Sequence, residues 1–200
     1  MPDFPAVIFV AGPQAASPGP EAERCHSVWR GLCQTAETWR INLWPGAGER
    51  SFPRLRFVAG QMAADAIAAQ IRESGASMVI LAAGARIDAS LLPRSVRVVA
   101  LADCEADVPP GVSEVWATGV DATALKARGR TVRPVAPYPG SQDGADDPFA
   151  VTVSIAAALG VALADDPAQV GLLLARNLGL SVSIVRSTFN PCLRLLHCQY

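Results

Sequence analysis

The chain has 200 residues, of which half are apolar and 18 % are charged, and its formal net charge is −1. This length and apolar content suit one domain, or one domain with an appended piece, and allow a substantial core. Because basic residues are not in excess, the composition argues against a nucleic acid partner.

Strand-like apolar runs alternate with helix-like segments from Ala6 to about Arg133. This alternation predicts an α/β fold with a Rossmann-like parallel sheet flanked by helices, followed by a short helical C-terminal extension. The predicted strands are residues 6–11, 39–44, 56–59, 78–82, 96–102, 115–117 and 132–136. Helices are predicted from near residue 21, over 61–74, 121–128 and 149–159, and from Asp166 to a stop at Gly179.

The domain organisation follows from a change in composition. Residues 1–136 are predicted to form the Rossmann-like domain, and residues 137–148 (PYPGSQDGADDP) a linker rich in Pro, Gly and Asp. Residues 149–200 form the predicted helical extension. Its last segment, 181–200, contains no acidic residue but two of the five cysteines, and a reading-frame change or truncation near Ile184 would explain this shift.

We expect a cytoplasmic protein with reduced thiols. The N-terminus lacks the pattern of a signal peptide, and the longest apolar stretch, residues 149–163, is too short for a transmembrane segment. The five cysteines are odd in number and have no CxxC spacing, so neither a disulfide framework nor a metal site is predicted.

The loop after the first strand is the first candidate site. Residues 12–20, which include Gly12, Pro13 and Gly19, connect a strand to a helix, where α/β proteins bind phosphates or sugars. The loop matches neither GxGxxG nor the Walker pattern, and its three prolines remove backbone donors. A rigid connection without a ligand is the alternative interpretation.

Asp103, Glu105 and Asp107 follow the strand 96–102 and form the second candidate site. Carboxylates at this end of a strand bind metals, act as bases or accept hydrogen bonds from sugars. The alternative is a solvated turn, which we favour because no basic or histidine partner lies nearby in the sequence. His26 is expected on the surface, and the four tryptophans are expected in the core or at its edge.

The chain resembles the N-terminal domain of GT-B glycosyltransferases of the group 1 (family 4) kind. The similar parts are the first strand with its loop and acidic helix start, up to Arg24, and the strand–turn–helix–strand unit over residues 114–137. The resemblance implies transfer from a nucleotide-sugar donor to a sugar or glycan acceptor, with no permanently bound cofactor. This half would shape the acceptor side of a cleft lined by Gly12, Pro13, Gly19, Asp103 and Thr118.

The chain departs from that family's pattern after the linker. About 60 residues are too few for a second Rossmann-like domain, and no glutamate after Glu114 supplies the family's E-x7-E donor motif. The histidine often found at the end of a middle strand is also absent. We therefore expect an incomplete member that is inactive by itself, and no residue is assigned a catalytic role.

Two other classes of function remain open. The first is a non-catalytic binding or regulatory module of flavodoxin or receiver type, suggested by the compact fold and Asp103. A receiver would also need an acidic pair after the first strand, where this chain has Ala11-Gly12-Pro13. The second is an α/β hydrolase or nucleotide-dependent enzyme of another type, although no nucleophile elbow or phosphate-binding motif is present.

Overall fold

The structure is a computed structural model that describes residues 4–43, 54–58, 63–82, 84–85, 87–118, 123–135, 148–161, 181–184 and 195–199. Six parallel strands form its central sheet. They are β1 (Val7–Val10), β2 (Leu55–Val58), β3 (Met78–Ala82), β4 (Arg97–Leu101), β5 (Glu114–Ala117) and β6 (Thr131–Pro134). The predicted parallel α/β sheet is thus confirmed.

The strand order is β2-β1-β3-β4-β5-β6. The first five strands have the order of flavodoxin-like doubly wound sheets, and β6 extends it. Every residue of β1 and β3 is buried, as expected for central strands that are covered on both faces, whereas the edge strand β6 is largely exposed and the edge strand β2 is exposed at two of its four residues. The chain places β2 on one side of β1 and β3 on the other, which creates the switch point where such sheets bind ligands.

Helices cover both faces of the sheet. On one face, α1 (Pro20–Leu43) and α4 (Pro148–Leu159) share a core cluster with strand residues such as Phe9 and Ile80. On the other face, α2 (Ala64–Ser74) and α3 (Thr123–Ala127) share a second cluster with the neighbouring strand residues, such as Val10 and Leu81. The two clusters separate because successive side chains of a strand point to opposite faces.

The predicted strand at residues 39–44 is wrong. Residues 39–43 form the end of α1, and Trp44 lies outside the described residues. Trp39, Ile41 and Leu43 alternate with polar residues, which imitates a strand pattern. The stripe of Leu32, Ala36 and Trp39, all buried, continues the helical spacing instead, and tertiary packing extends the helix.

Helix α2 begins at Ala64, and the predicted positions 61–62 lie outside the described residues. Its predicted stop is confirmed, because Gly75 adopts the left-handed conformation with φ of 62°. A residue without a Cβ is favoured there, since this conformation crowds the Cβ of other residues.

The two connections that join β3 to β4 and β4 to β5 are short. In their described parts they contain only the 3-10 turns Ala89–Leu91 and Glu105–Asp107, and no α-helix. The α2/α3 face of the sheet is therefore covered by loops next to β4, which leaves room for a cleft between them.

Helix α4 confirms the predicted helix at 149–159 and belongs to the same core as the sheet. Its C-terminal end is tied to the start of β4, because the Arg97 guanidinium donates to the carbonyls of Ala158 (2.7 Å) and Leu159 (3.1 Å). A cation at this position satisfies unpaired helix carbonyls and opposes the negative end of the helix dipole.

In the last segment, β7 (Ser181–Ile184) and β8 (Leu195–Gln199) pair antiparallel in a separate two-stranded sheet. The predicted linker residues 137–147 and the predicted helix at 166–179 lie outside the described residues. Among the helices that the structure describes, none combines the length and apolar character needed to cross a membrane.

Candidate functional site

The candidate site lies at the carboxyl edge of the sheet, where Asp103 follows β4 and Thr118 follows β5. The Thr118 amide donates to Asp103 Oδ1 at 2.6 Å, and the Thr118 hydroxyl donates to Oδ2 at 2.8 Å. The two strands place these residues side by side because β4 and β5 are parallel neighbours, with Ala100 opposite Val115. The structure thus joins two residues that the sequence analysis assigned to one cleft.

Arg24 of α1 is the third member of this group, and sequence reasoning missed it. Its Nη1 donates to Asp103 Oδ2 at 2.7 Å, and its Nη2 pairs with Glu21 one turn earlier in the helix. The Arg24 side chain is 7 % exposed, whereas Asp103 and Glu21 are 34 % and 38 % exposed. The guanidinium is therefore buried beneath two carboxylates that reach the surface.

Electrostatics keep Arg24 charged. Burial lowers the pKa of this guanidinium, but the negative charges and hydrogen bonds of Glu21 and Asp103 outweigh burial and raise the pKa above its ordinary value. The buried Nε has no hydrogen-bond partner among the described residues. Arg24 holds Asp103 in place and pairs with two carboxylates of the described residues, Asp103 and Glu21.

A sequence signal for Arg24 existed. Residues 24, 28, 32 and 35 follow helical spacing, and Val28, Leu32 and Thr35 are buried. An arginine on the apolar stripe of a helix indicates a buried ion pair, since burying a lone charge is costly. The sequence did not identify its partner, because Asp103 is 79 residues away.

The loop residues Gly12, Pro13 and Gly19 lie between β1 and α1 and form local contacts. The carbonyl of Gly12 accepts a hydrogen bond from Ala15 N at 3.0 Å, and the carbonyl of Gly19 accepts one from Glu23 N at 3.1 Å. Gly12 is buried and Pro13 is exposed. The loop leads into α1 and thereby positions Arg24. Through Arg24, this loop is connected to Asp103.

The acidic turn has basic partners in the folded chain, although none lies nearby in the sequence. Asp103 pairs with Arg24, and Glu105 pairs with Arg130 Nη2 at 2.6 Å. The Arg130 hydrogen bond is the largest cause of a lowered pKa for Glu105. Both arginines are distant in sequence, so only the folded chain brings them to the turn.

The three carboxylates of the turn point to different partners. Asp107 accepts a hydrogen bond from the Cys104 thiol at 3.1 Å, while Asp103 and Glu105 bind arginines. Within the described residues, no group of three or more His, Cys, Asp or Glu side chains is arranged to hold a metal ion.

The remaining reactive side chains lie elsewhere. His26 is exposed on α1, as expected, and Cys25 is buried beside Arg24. Burial is the main reason that the pKa of the Cys25 thiol rises to about 11, so this thiol stays protonated and is a poor nucleophile. Trp29 packs against Phe9 and Phe57, while Trp39 and Trp116 are buried, in agreement with the expected core positions.

The described part of the site thus offers fixed hydrogen-bonding groups rather than an acid–base pair. Comparison of the chain with protein-family models, with curated proteins and with solved structures finds no match.

Proposed function

We propose that this α/β domain binds a neutral polyhydroxylated ligand, such as a sugar, at the carboxyl edge of its sheet without catalysing a reaction by itself. The observation that carries the proposal is the Asp103 carboxylate, held by buried Arg24 and Thr118 and still one-third exposed. An ionised carboxylate only accepts hydrogen bonds, and sugar hydroxyls donate them.

The charge of the group favours a neutral ligand over an anionic one. Among the described residues, Arg24 pairs with two carboxylates, Asp103 and Glu21, so these three side chains together have an excess of negative charge. A phosphate would meet this excess and would have to displace a carboxylate from Arg24. A hydroxyl group can instead bind to carboxylate oxygens that are already oriented, at a lower entropic cost.

A binding role fits the site better than catalysis because the Asp103 carboxylate already accepts hydrogen bonds within the protein. A general base needs a carboxylate directed at the substrate proton, whereas Asp103 accepts from Arg24 and twice from Thr118. That this chain is the acceptor-side half of a glycosyltransferase-like protein rests on the sequence resemblance up to Arg24 and over residues 114–137. We expect the isolated chain to show no sugar transfer and no hydrolysis of nucleotide sugars, and either activity would contradict the proposal.

The test is a thermal-shift and calorimetric screen of the full chain with free monosaccharides, disaccharides, UDP and UDP-glucose. A ligand that binds only the native state raises Tm, so we expect a rise with at least one sugar and none with UDP. Asp103→Asn and Thr118→Val should remove the sugar effect. Glu105→Gln, which changes a neighbouring arginine-paired carboxylate, is the matched control and should keep it.

The strand order supports a second candidate, a flavodoxin-like or receiver-like binding module. In that class the ligand would lie at the switch point between β1 and β3. Binding of FMN, followed by its visible absorbance after gel filtration, would favour the flavodoxin version. Phosphorylation of Asp103 by acetyl phosphate would favour the receiver version, and both results would contradict sugar binding as the role of this edge.

A further inference from the structure

A cleft of about 500 Å³ lies beyond the carboxyl ends of β3 and β4, between their two outgoing loops. Ala85, Ile87, Val108 and Pro109 form apolar walls, and Asp88 and Asp107 add carboxylates. Ala85, Ile87 and Val108 pack with the α2/α3 core cluster, whereas Asp103 meets Arg24 from the α1 face. The cleft is therefore separate from the site of the proposed function.

The cleft exists because neither loop contains an α-helix in its described part. Hydrogen bonds hold its walls, since Asp88 Oδ1 accepts from Ser90 N at 2.8 Å and Val108 N donates to the Glu105 carbonyl at 3.2 Å. Its volume falls within the range of about 300–1,000 Å³ that is usual for small-molecule sites. The walls are thus largely formed before any ligand arrives.

Asp88 and Asp107 carry the only charges among the described lining residues. Hydrogen bonds from the Ser90 hydroxyl and amide lower the pKa of Asp88, so this carboxylate remains ionised in mildly acidic solution. Arg86, which stands between Ala85 and Ile87 in sequence, lies outside the described residues. A cleft that combines apolar groups with two carboxylates complements a ligand that has an apolar part and a positive charge.

We propose that this cleft binds a small organic amine, with its apolar body against Val108 and Pro110 and its ammonium group against Asp88 and Asp107. A bare divalent cation fits less well, because it needs several oxygen ligands and keeps water around it. The described residues offer two carboxylates in walls where polar and apolar surface are nearly equal.

The test compares two probes of the same size on the full chain, tyramine and the neutral alcohol tyrosol, in which a hydroxyl replaces the ammonium group. We expect tyramine to raise Tm and to bind at least about threefold more tightly than tyrosol at low salt, a preference that salt should reduce. Equal binding of the two probes, or binding of neither, would overturn the proposal.

Variants locate the binding site. Asp88→Asn and Asp107→Asn should each weaken tyramine binding about two- to fivefold and leave tyrosol unchanged. Because Asp88 also orders its own turn, Asp107→Asn is the decisive variant if Asp88→Asn fails to fold. Glu73→Gln, an exposed carboxylate on α2, is the matched control and should have no effect. Arg86→Gln should not weaken tyramine binding, and a loss in that variant would also contradict the proposal.

Discussion

At the scale of single residues, Arg24 determines what the carboxyl edge can do. Its guanidinium is buried on α1, and it orients Asp103 from one side while Thr118 orients it from the other. Asp103 is consequently a fixed acceptor. The same carboxylate in a solvated turn would rotate freely and would bind a ligand at a greater entropic cost.

Arg24→Met should therefore destabilise the fold. Asp103 and Glu21 would lose their partner, and we expect the free energy of unfolding to fall by about 1–3 kcal/mol, less than for a fully buried pair because both carboxylates are partly exposed. Urea denaturation measures this change. The matched control is Arg30→Met, an exposed arginine on the same helix, which should change stability by less than about 0.5 kcal/mol. Equal effects of the two variants would show that the Arg24 pair is unimportant.

Glu114, the first residue of β5 at the opposite edge of the sheet, makes the stability of the fold depend on pH. Burial raises the pKa of Glu114, but hydrogen bonds and charge from Arg97 and Arg133 outweigh burial and lower the pKa below its ordinary value. A carboxyl group with a lowered pKa in the folded state stabilises the fold at every pH above its unfolded pKa, and loses that contribution as the pH falls through the folded value.

We therefore expect Glu114→Gln to lower the free energy of unfolding at pH 7. This loss relative to the original chain should shrink as the pH falls below about 4. Urea unfolding at a series of pH values checks this. Asp65→Asn, an exposed carboxylate in the first turn of α2, should show a much smaller pH-dependent difference. A difference for Glu114→Gln that grows on acidification would have the wrong sign.

At the scale of elements, the crossing of α1 and α4 depends on Gly31. A Cβ at this position would lie 2.5 Å from Val151 Cγ1 and 2.6 Å from Ile155 Cδ1, well inside van der Waals contact. The Thr35 hydroxyl joins the two helices at the same level, with 2.7 Å to the Gly31 carbonyl and 3.2 Å to that of Thr152. The two backbones approach closely because position 31 lacks a side chain.

Gly31→Ala tests this packing. In a free helix the change stabilises by about 1 kcal/mol, but overpacking against buried Ile155 costs about 1–3 kcal/mol, so we expect a net loss in chemical denaturation. Val151→Ala should reduce that loss in the double variant by removing one of the clashing atoms. Cys33→Ala, at an exposed position of α1, is the control and should be nearly neutral. A stabilising Gly31→Ala would mean that the helices do not cross at this residue.

The element scale also shows how far local pattern predicts structure. The continuous apolar runs of β3 and β4 and the glycine after α2 were predicted within a residue, because they depend on burial and backbone conformation along one segment. For residues 39–43 the pattern predicted a strand where the structure has the end of α1. A few alternating residues at a helix end have the same pattern as a strand.

At the scale of the whole molecule, α4 completes the core although it follows a predicted linker. It buries Ile155 and Leu159 against the α1 face, and its last carbonyls bind Arg97 at the start of β4. Each fully buried Ile or Leu side chain contributes about 1.5–3 kcal/mol. Removal of α4 would expose this face and leave Arg97 without its helix partners.

Two truncations measure this contribution. A chain that ends at residue 135 lacks α4, and we expect it to lose cooperative thermal unfolding and to bind a hydrophobic dye. A chain that ends at residue 161 keeps α4, and should unfold cooperatively. Circular dichroism melting of both chains is the measurement. Equal behaviour of the two truncated chains would show that α4 does not stabilise the sheet.

The sequence by itself determined the class of fold, most strands of the sheet, and the edge at which Asp103 and Thr118 lie, because apolar runs and breaker residues report burial and turns along one segment. Only the tertiary structure decided the strand order, the full length of α1, the close approach at Gly31, and the partner of Asp103. These features depend on contacts between segments up to 117 residues apart. Local pattern does not identify such contacts, since the place of Arg24 on an apolar stripe indicates a buried ion pair but not which carboxylate is its partner.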